Sequence, residues 1–210
     1  MIILNQLSES LQKGDAQQVK VLVQQALDKN MEAKVILDEG LLRGMNVIGE
    51  KFKNNEIYVP EVLIAARAMH SGLDILSPIL ASKGVKNMGR ILIGTVRGDL
   101  HDIGKNLVSI MFKGAGFEVI DLGTDVSNEQ FIEKIKEYHP KILGMSALLT
   151  TTMVNMKDVI EALNEANLRD QVKVMVGGAP LNQEYAGEIG ADVYAPDASS
   201  AADEAQKLVS

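Results

Sequence analysis

Gly94-Thr95-Val96-Arg97-Gly98-Asp99-Leu100-His101-Asp102-Ile103-Gly104-Lys105 lies between a short apolar run, Ile91 to Ile93, and an apolar-periodic segment, Leu107 to Ala115. The pattern reads as a strand, a glycine-rich turn and a helix in succession. In an open α/β sheet, a turn after a strand stands at the carboxyl edge, where such sheets bind ligands. This turn holds His101, with the carboxylate of Asp99 two residues before it and small residues around it. A metal-binding histidine is a neutral imidazole with one ring nitrogen free and the other held by an acceptor, often a carboxylate. Asp99 can be that acceptor. Taken alone, a loop histidine with no ligand fits these residues as well. A phosphate loop does not fit, because the G-K-[ST] ending is missing and Lys105 falls inside the start of the helix.

From Gly89 onward, apolar strand-like runs at 90–95, 117–121, 141–146, 172–176 and 192–195 alternate with helical patterns at 103–114, 128–138, 153–167, 182–189 and 199–209. Strand and helix alternating in this way predict right-handed crossovers and a parallel sheet with helices on both faces. The expected fold class is α/β, a flavodoxin-like, doubly wound, parallel five-stranded sheet.

Before Gly89 the period is helical. Leu4, Leu7 and Leu11 share one face of a helix ended by Gly14, and Asp15 is placed to cap a second helix with Val19, Leu22, Val23 and Ala26 inward. Leu37, Leu41, Met45, Ile48 and Phe52 recur through a longer third helix, Met31 to Lys53. After the turn at Asn54-Asn55-Glu56, Pro60 suits the first turn of a fourth helix, in which Val62, Ala66, Met69, Leu73, Leu76 and Leu80 repeat. Four helices with short connections predict an antiparallel four-helix bundle. The polar break Ser82 to Met88 divides the chain into expected domains at 1–84 and 89–210 and is the expected hinge between them.

Composition narrows the classes of function. With 210 residues and 46% apolar side chains the chain can bury a core, and nothing in it suggests disorder. The net charge is −7 with Lys and Arg dispersed, so no basic footprint for nucleic acid is visible. Cys is absent, which excludes a disulfide framework and a thiolate metal site. No signal peptide is evident at Met1 to Gln6, and no apolar run approaches the roughly 20 residues of a membrane helix. The expected location is cytoplasmic, with no membrane and no nucleic-acid partner.

Two later stretches complete a pattern. Ser146-Ala147-Leu148 closes one strand, with Thr150, Thr151 and Thr152 beyond it, and Gly177-Gly178 closes another. Asp99-x-His101-x-x-Gly104, Ser146-x-Leu148 and Gly177-Gly178, at these intervals, resemble the signature of base-off, histidine-on cobalamin-binding domains. With the helical bundle before it, the chain resembles the methylcobalamin-binding module of cobalamin-dependent methionine synthase. It is similar in size to the free-standing corrinoid proteins of methanol, methylamine and glycine betaine methyltransferase systems.

The resemblance implies a site. His101 is the lower axial cobalt ligand, displacing the cofactor's dimethylbenzimidazole; Asp99 accepts from the other ring nitrogen; Thr152 stands where the family has a serine hydroxyl continuing that relay. Gly98, Leu100, Asp102, Ile103 and Gly104 complete the histidine loop. Ser146, Leu148 and Thr150 line one wall of a channel for the nucleotide tail, and Gly177, Gly178 and Ala179 the other, although a plain strand-to-helix turn also accounts for the glycine pair. Tyr194, Ala195 and Asp197 flank the tail or the corrin edge. In the bundle, Phe52 and Val59 take the places of residues that shield the cobalt's upper face, with core packing as the plainer alternative. His70 and His139 fit no such constellation and are expected at the surface or at helix ends.

The implied function is a corrinoid methyl carrier cycling between Co(I) and a methylated Co(III). A substrate-specific methyltransferase would load it, a second methyltransferase would pass the methyl group to a thiol or tetrahydrofolate, and a reductive activase would rescue Co(II). Rival expectations are a cobalamin-responsive regulator, the small subunit of an adenosylcobalamin mutase, and a flavodoxin-like domain without cobalamin. Regulators usually carry a basic DNA-binding segment, and the mutases share the histidine motif, but a bundle carrying Phe52 and Val59 fits a methyl carrier better.

Overall fold

Apolar residues recurring every three or four positions fold the first part of the chain into helices. The computed structural model describes residues 2–82 and 88–209. Helix α1 (Ile2–Gln12) buries Ile3, Leu4, Leu7 and Leu11. Gly14, at φ +72°, ends the turn after it. The Asp15 carboxylate accepts the Gln18 amide at 2.9 Å and caps α2 (Ala16–Asp28), which buries Val19, Leu22, Val23 and Ala26. The third helix begins later than its apolar spacing suggests and is not uniform: α3 (Ala33–Ile36) passes through a π-helical stretch, Leu37–Leu42, into α4 (Arg43–Lys53). The wider turn falls where Gly40 meets α1, so closely that a Cβ there would lie 2.5 Å from Leu7 Cδ2.

Helix α5 (Val59–Ser82) carries Pro60 in its first turn, where the missing N–H is no loss. It buries Val62, Ala65, Ala68, Met69 and Leu76. Helix α1 packs on α2 and α4, and α5 on α2 and α4. Over Val59–Leu80, α5 is long and apolar enough to cross a membrane by length and mean hydropathy, which corrects the expectation that no stretch approaches that length. Val62, Met69 and Leu76, which help to raise its hydropathy, are buried, whereas Leu63 and Ile64 are exposed. Of the expected hinge, Lys83 to Asn87 lie outside the described residues.

The second unit follows a different period. Its elements are β1 (Arg90–Thr95), α6 (Ile103–Gly114), β2 (Glu118–Asp121), α7 (Asn128–Tyr138), β3 (Ile142–Ser146), α8 (Thr150–Met153), α9 (Asn155–Glu165), β4 (Lys173–Gly177), α10 (Gln183–Ile189), β5 (Val193–Tyr194) and α11 (Ala198–Val209). All neighbours are parallel in the order β2-β1-β3-β4-β5, so the sheet is doubly wound and flavodoxin-like. Alternate strand residues Leu92, Leu143, Met145, Val174 and Val176 join one core with Phe131 and Ile135 of α7, Val159 and Leu163 of α9, and Ile189 of α10. The residues between them, Ile91, Ile93, Ile142 and Met175, are buried as well. A sheet covered on both faces explains why its strands read as unbroken apolar runs. The chain leaves β1 towards one edge and β3 towards the other. That switch point lies beyond the carboxyl ends of β1 and β3, where the loops 96–102 and 147–149 emerge.

Candidate functional site

The loop after β1 is held by backbone pairing before any side chain acts. Val96 N donates to the Ser146 carbonyl at 3.0 Å, Val126 N to the Thr95 carbonyl at 3.0 Å, and Asp125 N to the Asp99 carbonyl at 3.0 Å. Gly98, in the left-handed region at φ +77°, donates its amide to Asp125 Oδ1 at 2.7 Å. The buried Thr95 hydroxyl donates to the His101 carbonyl at 3.0 Å. Together these bonds present Asp99 inward and His101 outward.

Asp99 is fully buried, and both of its oxygens are engaged. Oδ1 lies 2.8 Å from His101 Nδ1 and accepts the His101 amide at 3.0 Å. Oδ2 accepts the Thr152 hydroxyl at 2.6 Å and the Leu148 amide at 2.8 Å, with the Leu149 amide further off at 3.4 Å. Burial by itself would raise the pKa of this carboxyl. The bonds from Thr152, Leu148 and His101 outweigh it and hold Asp99 well below the usual carboxylate range. An ionised Asp99 can only accept, so Nδ1 carries the hydrogen and Nε2 is left as the imidazole's basic nitrogen. The His101 side chain is 50% exposed.

Around this imidazole the surface is apolar. Leu100, Ile103, Leu148, Leu149 and Val154 are all exposed. Gly104, in the first turn of α6, has no neighbour within 4 Å of where a Cβ would stand. Ser146 ends β3 beside Gly177, its register partner on β4. Gly178 is required by two observations together: its φ is +141°, and a Cβ would stand 1.8 Å from the Ala147 carbonyl oxygen. The β4 turn therefore runs directly against the β3 loop. Ala179 and Thr150 are exposed, Tyr194 is half-buried and Ala195 is buried, its amide donating to the Val176 carbonyl at 2.9 Å.

Not every residue singled out in the sequence converges on His101. The Asp197 carboxylate caps α11, accepting the Ser200 amide at 2.8 Å and its hydroxyl at 2.9 Å. Asp102 accepts the Asn106 side chain at 3.0 Å. Phe52 and Val59 belong to the helical unit, Phe52 half-buried on α4 and Val59 exposed at the start of α5. His70 is exposed on α5, and His139 is the left-handed cap of α7.

The structure adds residues that periodicity does not reveal. The expected helix 153–167 is broken at Val154 into α8 and α9. Tyr185 donates its hydroxyl to the Met153 carbonyl at 3.0 Å, and Asn155 donates to the Arg97 carbonyl at 2.8 Å. The break sets Thr152 over Asp99. Asp125, which holds Gly98, also lies outside the motif and was open to detection only as a left-handed turn residue.

Among the described residues, no group of three or more His, Asp or Glu could hold a metal ion. A single half-exposed imidazole with its second nitrogen already held suits a metal that brings its other ligands with it. Exposed apolar side chains around that imidazole suit a flat macrocycle, and a tight glycine wall at the β3–β4 ends suits an extended appendage. The residues present thus fit a corrinoid.

Comparison with known proteins points the same way. Residues 89–205 match a family model described as a B12 binding domain, and residues 3–77 match a second model of the same description. A corrinoid protein of Desulfitobacterium hafniense (strain Y51) is 45% identical over 212 residues, covering 100% of this chain and 98% of that one. The trimethylamine corrinoid protein of Methanosarcina barkeri is 42% identical over 201 residues, covering 95% and 93%. The crystal structure of the methanol:cobalamin methyltransferase complex from Methanosarcina barkeri holds a chain that is similar at TM-score 0.87 and 27% identity, covering 99% of this chain and 79% of that one.

Proposed function

This chain belongs to the corrinoid proteins of methyltransferase systems, and from that membership we propose that it is a methyl carrier in which His101 is the lower axial ligand of cobalt. The cofactor is a cobalamin or related corrinoid. When bound, it supplies a cobalt that takes a methyl group from one methyltransferase and yields it to another. The observation that carries the proposal is the Asp99 carboxylate 2.8 Å from His101 Nδ1, with the imidazole half-exposed.

The chain's own residues then have distinct tasks. His101 offers Nε2 to the metal in place of the cofactor's dimethylbenzimidazole. Asp99 fixes the tautomer and the tilt of the ring and raises its basicity. Thr152 and the Leu148 amide keep Asp99 ionised, so it holds the hydrogen on Nδ1 and leaves Nε2 free to bind the metal. Leu100, Ile103, Leu148, Leu149 and Val154 give the corrin an apolar bed, and the Gly177-Gly178-Ala179 turn with Ser146 and Thr150 receives the displaced tail. For Phe52 and Val59 the proposal is an apolar cover that slows loss of the methyl group; its support is the family resemblance.

The proposed partners are a substrate-specific methyltransferase, a second methyltransferase with a thiol or tetrahydrofolate acceptor, and a reductive activase. A methyltransferase partner is supported by the relatives' names and by the solved methanol:cobalamin methyltransferase complex that holds a similar chain. The second methyltransferase and the activase rest on the family resemblance alone.

Electron paramagnetic resonance of the protein loaded with cob(II)alamin tests the axial ligand. With histidine labelled by nitrogen-15, the expected superhyperfine splitting changes from a triplet to a doublet, and His101→Ala abolishes the change. A triplet that persists in the labelled protein means the cofactor kept its own base, and the proposal fails.

A further inference from the structure

The side chain of Lys105 is only 2% exposed, and lysine is almost never fully buried unless it is paired. No step above uses it. It sits in the first turn of α6, which begins two residues after His101. Its Nζ donates to Asp121 Oδ2, at the end of β2, and to Asn106 Oδ1 at 2.7 Å.

From Asp121 a second line of bonds returns to the histidine. Asp121 Oδ1 accepts the Gly123 amide at 2.9 Å. The Gly123 carbonyl accepts the Thr95 amide at 2.9 Å, and the Thr95 hydroxyl donates to the His101 carbonyl at 3.0 Å. The Lys105–Asp121 pair therefore closes a loop through His101: one arm runs along the start of α6, the other through the β2 turn and Thr95.

Stability is a weak reason for such a pair. Replacing a buried ion pair by apolar side chains of similar volume is often neutral, whereas fixing registry is its best-attested use. Nor does Lys105 reach the exposed apolar surface around the imidazole, because its ammonium is enclosed by Asp121 and Asn106.

We propose that the Lys105–Asp121 pair is a positioning device for the histidine ligand, clamping the first turn of α6 to the end of β2 and so setting where His101 presents Nε2. The inference rests on His101 being the axial ligand, and the test separates the two.

The full chain, Lys105→Met and Asp121→Asn are each titrated with cob(II)alamin. The readouts are the dissociation constant, the share of bound cofactor showing the nitrogen-15 histidine doublet, and the urea midpoint of the unloaded protein. Removing one partner of a buried pair lowers stability, so either variant is expected to show a fallen urea midpoint. While folded, it is expected to bind roughly tenfold more weakly, with a reduced doublet share. The double variant Lys105→Met/Asp121→Asn, which leaves no buried charge unpaired, is expected to recover the midpoint but not the doublet. Lys105→Arg, which keeps the charge, restores part of the doublet. A full doublet in both single variants, or a double variant that recovers the doublet together with the midpoint, overturns the clamp while leaving the axial ligand standing. Should a single variant fail to fold, the double variant decides alone, since it leaves no buried charge unpaired. A wild-type chain without the doublet overturns the axial assignment and the clamp with it.

Discussion

At the scale of single residues, the site is a problem of keeping one charge buried. Asp99 has no contact with solvent, yet it must be ionised to accept from Nδ1 of His101. The Thr152 hydroxyl, 2.6 Å away, is its shortest bond. A hydrogen bond to a charged group contributes about 1.5–3 kcal/mol. Thr152→Val is therefore expected to lower the unfolding free energy of the unloaded protein by about that amount, measured by urea denaturation. Thr152→Ser keeps the hydroxyl and is expected to lose much less. A Thr152→Val protein as stable as wild type would show that Asp99 finds its balance elsewhere.

The same carboxylate gives a signed pH dependence. Its folded pKa is depressed, so the stability it contributes is fully present above the unfolded value near 3.9 and is lost as pH falls below that towards the folded value. Acid titration of the unloaded protein should show Asp99→Asn with a shallower decline below about pH 4 than wild type. Parallel acid declines in the two proteins would remove Asp99 from the account.

At the scale of elements, the site depends on two places where regular structure stops. One is the break between α8 and α9 at Val154, pinned by the Tyr185 hydroxyl on the Met153 carbonyl and by Asn155 on the Arg97 carbonyl. Burial raises the Tyr185 pKa, with the charges of Glu188 and Asp158 adding to it, so the hydroxyl remains a donor. Tyr185→Phe removes that donor and is expected to cost about 1 kcal/mol of stability by denaturation and to weaken cobalamin binding through Thr152. The other place is Gly178. A Gly178→Ala Cβ would meet the Ala147 carbonyl oxygen at 1.8 Å in a backbone conformation that L residues avoid. The strain alone is about 1–3 kcal/mol, so the expected outcome is a chain that misfolds or loses cofactor binding. A Gly178→Ala protein with wild-type melting and affinity would mean that the turn rearranges freely.

How far these elements are legible in the chain follows from the range of the forces that make them. The five strands and most helices of the second unit are local matters of apolar period, and Asp15 announces the start of α2 by its own chemistry. Asp99, His101, Thr152 and Gly178 are identifiable only as a spaced pattern, because β1, β3 and β4 lie far apart in sequence and meet through the sheet. The π-helical stretch Leu37–Leu42 and the break at Val154 leave the apolar spacing unchanged and so leave no local signal. Lys105 looked like an ordinary residue of a helix start, because its partner Asp121 arrives through a crossover.

At the scale of the molecule, the chain comprises two compact units, each matched by its own B12 binding domain model. Ligand that binds only the folded state raises its stability by an amount set by free concentration over the dissociation constant, about 2.7 kcal/mol at a hundredfold excess. The proposed ligand contacts in the second unit come from three loops that close separate strands, at 96–102, 147–149 and 177–179. Methylcobalamin at that excess should therefore raise the melting of the whole sheet as one transition rather than stiffen a single loop. Loss of a partner that supports a metal ligand weakens binding roughly ten- to hundredfold, and loss of the proposed ligand His101 is expected to cost no less than the lower end of that range. At unchanged ligand concentration, His101→Ala should then forfeit about 1.3–2.3 kcal/mol of the gain, since the stabilisation falls from about 2.7 to about 1.4 kcal/mol at tenfold weaker binding and to about 0.4 kcal/mol at hundredfold. Differential scanning calorimetry of wild type and His101→Ala, each with and without methylcobalamin, measures both quantities. An equal ligand-induced rise in the two proteins would place the binding energy in the corrin bed and tail channel and leave His101 with none of it.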